Sequence, residues 1–304
     1  MLDRLPNTRP PRVSVGMPVY NDGPFVAQAI SAVLAQDYSD FELFISDNAS
    51  TDGTSEICRS FQQRDNRIRY VRHDHNRGAV WNFRHVYEQC HGEYFMWAGG
   101  HDVLRPAFVA VCARALDEQT DVVLAYPEIR QIDGDDVPIA GTVSDNIDTR
   151  GQSLSQRTRN VIRDLYSCHM IYGLFRKSAL DRCRHGIICR GPDHVLLMEL
   201  SLHGTIARVA QVLLDLRENR GEQNNRMSYD DYMRGQLKRL DPNAFGRGNL
   251  RPHWRWALEH LKGVLHADIP LSQRAALAPL VAFEFWRRWK VYLRREIFTP
   301  LAAA

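Results

Sequence analysis

Apolar runs of four to six residues recur through the first 130 positions, each followed by polar or glycine-containing sequence. Five of them, at 13–17, 41–46, 68–71, 94–98 and 122–126, have the length and bounding turn residues of buried strands. Between them the apolar positions switch to a helical period. Phe25, Val26, Ala29, Ile30, Val33 and Leu34 form one stripe over 25–35. Ile57 and Phe61 mark a second helix after Thr51-Asp52-Gly53, residues 79–90 read as a third, and a fourth follows Pro106. Pro18 is expected to stop the first strand, because proline cannot donate to a central ladder. Thr51 or Asp52 is the expected cap of the second helix. Strands alternating with helices predict an α/β fold with a mostly parallel, doubly wound sheet.

Beyond Pro127 the pattern is less regular. Asp133-Gly134-Asp135-Asp136 is a turn, and 139–153 is a polar loop ahead of a helix at 154–165. A strand at 171–175, a short helix at 177–183 and a helix at 195–202 follow. Two short strands at 206–209 and 212–216 lead into a charged loop over 217–226. From Tyr229 the chain reads as helical. The expected organisation is a flexible leader over 1–12, a main domain over 13–220 with halves 13–127 and 128–220, and a helical extension over 221–304.

Composition narrows the function classes. A hydrophobic fraction of 44% and a charged fraction of 25% are those of an ordinary globular protein, and a net charge of +3 gives no footprint for nucleic acid. No apolar run approaches the roughly 20 residues that span a bilayer. Asp3, Arg4, Pro6, Pro10 and Pro11 interrupt the N-terminus, so it does not read as an export signal and the expected location is the cytoplasm. The six cysteines contain no C-x-x-C pair, which favours reduced, buried thiols over a zinc site.

The polar groups after the early strands are the candidate chemistry, because open α/β sheets bind ligands beyond the carboxyl ends of their strands. Three loops qualify: Pro18-Val19-Tyr20-Asn21-Asp22, Ser46-Asp47-Asn48-Ala49-Ser50-Thr51-Asp52-Gly53-Thr54, and Gly99-Gly100-His101-Asp102. Together with Asn76-Arg77-Gly78 and Gly92-Glu93-Tyr94, their order resembles the inverting family 2 glycosyltransferases of the A-type (GT-A) fold, over residues 13–217. The resemblance implies that Pro18, Val19 and Tyr20 flank a nucleobase and that Asp47 accepts a hydrogen bond from its imide N–H. It also places Asn82, Gly100, His101 and Asp102 near the donor. Relatives carry an Asp-x-Asp signature where this chain has Gly99-Gly100-His101, and only Asp102 remains acidic. The implied cofactor is therefore Mn2+ or Mg2+, held by His101 and Asp102 with diphosphate oxygens.

Gly191-Pro192-Asp193-His194 matches the family's catalytic-aspartate segment, which makes Asp193 the expected general base. By the same resemblance, Tyr172-Gly173-Leu174-Phe175-Arg176 lines the acceptor side, and the basic loop from Arg217 can close over the diphosphate, although a solvated charged loop is the simpler account. His73-Asp74-His75 has the composition of a metal cluster, although a solvated loop is the simpler account. The implied activity is transfer of a sugar from a nucleotide donor to a glycan or lipid-linked hydroxyl in cell-surface polysaccharide biosynthesis. UDP is the expected nucleotide, with dTDP and GDP as alternatives. The missing carboxylates motivate a second reading, a catalytically silent sugar-nucleotide binder. A dinucleotide-dependent oxidoreductase would require G-x-G-x-x-G after the first strand, which is absent.

Near the C-terminus Ala282, Phe285, Trp286, Trp289, Leu293 and Ile297 fall on one helical stripe, with Arg287, Arg288, Lys290, Arg294 and Arg295 mostly elsewhere. Packing on the main domain or on a second copy in a homodimer is one expectation. Peripheral contact with the anionic inner face of a membrane is the other.

Overall fold

A computed structural model describes residues 9–141, 144–218, 229–242 and 251–298, the side chains of 229–234 and 298 excepted. The first half alternates as read: β1 (Val13–Val19), α1 (Val26–Leu34), β2 (Phe41–Asp47), α2 (Thr54–Arg64), β3 (Ile68–Arg72), α3 (Ala79–Glu88) and β4 (Tyr94–Trp97). A two-residue β5 (Val103–Leu104), α4 (Phe108–Glu118) and β6 (Val122–Ile132) follow. Next come α5 (Leu154–Asp164), a 3-10 turn (His169–Tyr172), β7 (Leu174–Arg176), α6 (Lys177–Leu180), α7 (Pro192–His203) and β8 (Thr205–Arg217). The extension contributes α8 (Tyr229–Leu240), α9 (Pro252–His266) and α10 (Leu271–Phe298).

The strands form one mixed sheet in the order β3-β2-β1-β4-β7-β6-β8-β5. Neighbours in the β3-β2-β1-β4 run are parallel, whereas β7 is antiparallel to β4 and β6, and β5 to β8. Every residue of β1 and β2 is buried, as expected for parallel strands covered on both faces. One face buries Val13, Val15, Met17, Leu43 and Ile45 under α1 and α4. The other buries Phe44, Phe95, Trp97 and Phe175 under α3 and α7.

Two prolines sit inside strands, against the expectation that Pro18 ends the first. β1 continues through Pro18 to Val19, paired only with β2 there, because the β4 register stops at Gly16 opposite Trp97. β6 likewise passes Pro127, beyond Ala125, where its pairing with β7 stops. In each case the missing N–H falls where one neighbour has already ended. The two short strands expected at 206–209 and 212–216 are one continuous β8, with register shifts against β6 near Pro127 and Glu128. Ile171 and Tyr172, expected in a strand, lie in the 3-10 turn. The leader is tethered by its end: Arg12 bonds Glu93 and Asp117, and its carbonyl accepts from the Tyr94 N–H. All six cysteines are buried and free.

The extension packs on the main domain. The Leu240 carbonyl of α8 lies 2.5 Å from where a Cβ on Gly78 would stand. Leu277 and Val281 of α10 join the core beside Val161, Ile162 and Leu165. Phe285 and Leu293 join Trp256 of α9, Cys189 and Val195 in a separate cluster. Arg288 donates to the Ile162 and Leu165 carbonyls, satisfying the orphaned end of α5. The stripe read from the sequence therefore divides. Phe285 and Leu293 are buried and Trp289 is partly so, while Ala282, Trp286 and Ile297 are exposed. The helix leans first on α5 and then on α9, so its buried face rotates along its length.

Candidate active site

The loops after β1, β2 and β4 are laced together. The Asn21 N–H donates to Ser50 Oγ at 3.0 Å, and the Thr51 N–H returns a bond to Asn21 Oδ1 at 2.8 Å. The Asp22 N–H donates to Thr54 Oγ1, and the Gly23 N–H to Asp52 Oδ2. Asp52 also accepts from the Thr54 N–H, so it holds both the start of α2 and the first loop. His101 Nδ1 lies 3.1 Å from Asp22 Oδ1, which joins the third loop to the first. Gly100 is needed at this junction, because a Cβ there would stand 2.7 Å from Asp22 Oδ2 and 2.8 Å from Val19 Cγ1.

Of the residues expected around a base, Pro18 and Val19 are buried within β1, and only Tyr20, 46% exposed, presents its side chain to solvent. Asp47 is fully buried. Its oxygens accept from the Ser50 N–H at 2.8 Å, Ser55 Oγ at 2.7 Å and Tyr70 Oη at 2.8 Å. Burial opposes its charge, but the hydrogen bonds from Ser50, Ser55 and Tyr70 outweigh it and hold the carboxyl below its ordinary value. Asp47 thus anchors the loop from beneath, with three of the roughly four acceptor sites of its carboxylate taken. Asn82 is similarly committed: it donates to the Ser46 carbonyl at 3.0 Å and accepts from Ser46 Oγ at 2.6 Å, pinning α3 to β2.

Gly99 explains the altered signature. A Cβ at this position would stand 2.2 Å from Asp102 Oδ2, so Asp102 occupies the space a side chain at 99 would need. Asp102 is 1% exposed, and its Oδ1 accepts the Arg217 N–H at 2.9 Å while Oδ2 is buried without a partner. Burial pushes its carboxyl up, against the pull of His101 and the Arg217 N–H. His101 is lowered by burial, but its bond to Asp22 and the charges of Asp102 and Asp22 raise it overall. His101 Nε2 and Asp102 Oδ1 are 4.0 Å apart, within the about 4.2 Å that two ligands of a Mg2+-sized ion can span. Among the described residues no three His, Cys, Asp or Glu side chains converge on a common point, so the pair fits a cation as two ligands at most. His73-Asp74-His75 does not form a cluster. The His73 ring packs on Trp81 and His85 and meets Ser46 Oγ, while His75 pairs with Asp74.

Arg217 is not on a mobile loop. It ends β8, 4% exposed, and its guanidinium donates to the His101 carbonyl at 2.9 Å, the Asp133 carbonyl at 2.6 Å, Gln28 Oε1 at 2.9 Å and Asp136 Oδ1 at 2.5 Å. It also stacks over the Phe25 ring. Four of its five N–H donors are taken by these partners, so Arg217 fastens the early loops together here. Most of the rest of that loop, 219–226, and Thr142 and Val143 of the preceding polar loop lie outside the described residues.

A cavity of about 370 Å³ is lined by Phe83 and Trp97 of the first half, Tyr172 and Leu196 of the second, and Gln236, Arg239 and Leu240 of α8. Asp193, in the first turn of α7, lines it. Pro192 at the helix start fixes the entry of the chain. Among the described residues no other group donates to the Asp193 carboxylate, and burial pushes it above the ordinary aspartate value, with only its own backbone N–H pulling back. Asp47 does not line this cavity. The bridge is Tyr172, a residue the sequence reading placed only within the acceptor strand. Its phenol, raised by burial, also feels the charges of Asp102, Asp193, Arg239 and Asp22, which puts it between the early loops and Asp193. No described residue bonds its hydroxyl. His194 faces away and packs on Trp256, with burial pushing it down to about 3. Gly173 is explained by packing, since a Cβ would stand 2.7 Å from the Ala125 carbonyl.

The family model described as Glycosyl transferase family 2 matches residues 14–183. The glycosyltransferase GlyG of Streptococcus pneumoniae is 30% identical over 125 residues, 40% of this chain and 41% of that protein. A GalNAc(5)-diNAcBac-PP-undecaprenol beta-1,3-glucosyltransferase of Campylobacter jejuni is 30% identical over 95 residues, 31% of each. The chain thus matches well under half the length of either relative. Staphylococcus aureus TarS 1–349, solved with UDP-GlcNAc, superposes with a TM-score of 0.66 at 16% identity, over 93% of this chain and 74% of that one.

Proposed function

The chain belongs to glycosyl transferase family 2, and from that premise we propose that it transfers a sugar, with inversion, from a nucleotide-diphosphate donor to a hydroxyl. The acceptor oxygen attacks the anomeric carbon while its proton passes to Asp193. The bond from that carbon to the phosphate oxygen breaks, and the nucleoside diphosphate leaves with the electron pair. A positioned base of this kind contributes about 10²- to 10⁴-fold. The observation that carries the reading is Asp193: a carboxylate with no hydrogen-bond partner but its own backbone N–H among the described residues, raised by burial, on the wall of the cavity. Its raised value keeps it a stronger base than an exposed aspartate.

The donor's nucleotide lies over the loops after β1, β2 and β4, with Tyr20 as the exposed ring available to a base. UDP is the proposed nucleotide. The Tyr172 hydroxyl, neutral at working pH, donates to the sugar or diphosphate from between the two halves. A divalent cation, Mn2+ or Mg2+, would be held by His101 and Asp102 and would neutralise charge on the diphosphate. The 4.0 Å spacing between His101 Nε2 and Asp102 Oδ1 supports this placement, with the remaining ligands coming from donor and water. The acceptor is a glycan or lipid-linked sugar, a class suggested by the name of the Campylobacter relative.

The test is a panel of nucleotide sugars scored by thermal stabilisation, with Mn2+ or with excess chelator, followed by turnover of Asp193→Asn. UDP-sugars should raise the melting temperature, since a ligand of the folded state stabilises it. Near-normal transfer by Asp193→Asn would reject the base assignment. A variant and parent that bind donor but neither transfer nor hydrolyse it would favour the silent binder.

A further inference from the structure

The outward face of α10 is left uncovered by the packing described above. Phe283, Arg287, Lys290, Arg294 and Ile297 recur at i, i+4, i+7, i+11 and i+14, which is a single stripe along one helix. Trp286 and Val291 flank it. Phe283 is 62% exposed, Val291 70%, Ile297 45% and Trp286 36%. Single exposed apolar residues are ordinary; four along one helical face, interleaved with basic residues, are not. Both acids of the helix turn inward. Glu284 is buried and pairs with Arg287 and Arg159, and Glu296 holds His253. Among the described residues Lys290 and Arg294 have no carboxylate partner, and Arg294 lies over the Trp286 ring.

We propose that this face docks on an anionic lipid surface. A second copy of the chain is disfavoured by symmetry. A two-fold interface apposes the same patch on both subunits, which would bring together two patches that carry Lys290 and Arg294 and, among the described residues, no unpaired acid. A lipid surface satisfies both halves of the pattern. Phe283, Trp286, Val291 and Ile297 enter the boundary between headgroups and acyl chains, and the basic side chains reach the phosphates. The helix lies along the surface; no described helix is long and apolar enough to cross. The inference is independent of the chemistry in the cleft.

The experiment is co-sedimentation of the full chain with vesicles of phosphatidylglycerol and phosphatidylcholine, against vesicles of phosphatidylcholine alone. Binding to the anionic vesicles alone, weakening as salt rises, is expected. Each basic residue near such a surface is worth about fivefold in partitioning, so Lys290→Gln with Arg294→Gln should lower it about 25-fold. Phe283→Ser should lower it as well. These positions are exposed, so folding is retained. Equal binding to both vesicle types, binding to neither, or double-variant binding equal to wild type would each overturn the proposal. So would a dimer in sedimentation velocity that these variants abolish.

Discussion

Burial raises the Asp193 carboxyl, so the ionised form that accepts a proton is also the form that costs folding free energy. The folded-state value lies above the unfolded one. Stability from this group is therefore present below the unfolded value and is lost as pH rises through the folded value. At neutral pH the charge is a cost, which Asn removes without changing shape. Asp193→Asn should melt at or above the wild-type temperature while transfer falls about 10²- to 10⁴-fold. Calorimetry beside initial rates checks both halves. The acid limb of kcat/KM should lie above the range of an ordinary aspartate; a limb at the ordinary value would mean that another group limits the rate. Gly99 makes the opposite point. Restoring the signature with Gly99→Asp would force Asp102 out of its place and off the Arg217 N–H. A cost of about 1–3 kcal/mol in denaturant unfolding is expected, as for overpacking generally, with no gain in cation binding by calorimetric titration.

Among the elements, β8 does the most to build the early loops, although it comes last in the sheet by sequence. Its final residue, Arg217, collects acceptors from the His101 and Asp133 carbonyls, Gln28 and Asp136. Removing it breaks four bonds to half-buried or exposed acceptors and frees the loop that carries His101 and Asp102. Arg217→Ala should cost roughly 2–4 kcal/mol in chemical denaturation. Donor affinity should fall with it; unchanged stability would show the fastening to be redundant. In the sequence Arg217 opens a charged string and reads as solvated, because nothing local distinguishes a buried arginine from an exposed one. The parallel strands and their helices were readable within a residue or two at most ends, since strands covered on both faces are apolar throughout. β5 was missed because two residues carry no period, and β7 was misplaced because the preceding 3-10 turn is equally apolar.

For the whole molecule, the extension is part of the core. Leu277, Val281, Phe285 and Leu293 of α10 are each 2% exposed or less. Burying four such side chains is worth about 6–12 kcal/mol, comparable to the roughly 5–15 kcal/mol that separates folded from unfolded domains. A chain truncated before Leu271 should therefore be insoluble or melt far below the full chain. A truncated chain that melts with the parent would show α10 to be an appendage. The same packing is why lipid binding is tested here with point variants.

The sequence by itself determined the alternation of strands and helices, the three polar loops at one edge of the sheet and the family they resemble. Those features follow from local periodicity and from the order of short motifs, and both survive in a linear chain. Tertiary structure alone decided which of those polar residues have free atoms. Asp47 and Asn82 are engaged by Ser50, Ser55, Tyr70 and Ser46, whereas Asp193 and Tyr172 open into a shared space beneath α8. It also decided which face of α10 meets solvent. A side chain's remaining hydrogen-bonding capacity depends in part on neighbours 20 or more positions away, such as Tyr70 for Asp47 and Ser46 for Asn82, and no local pattern of residues records them.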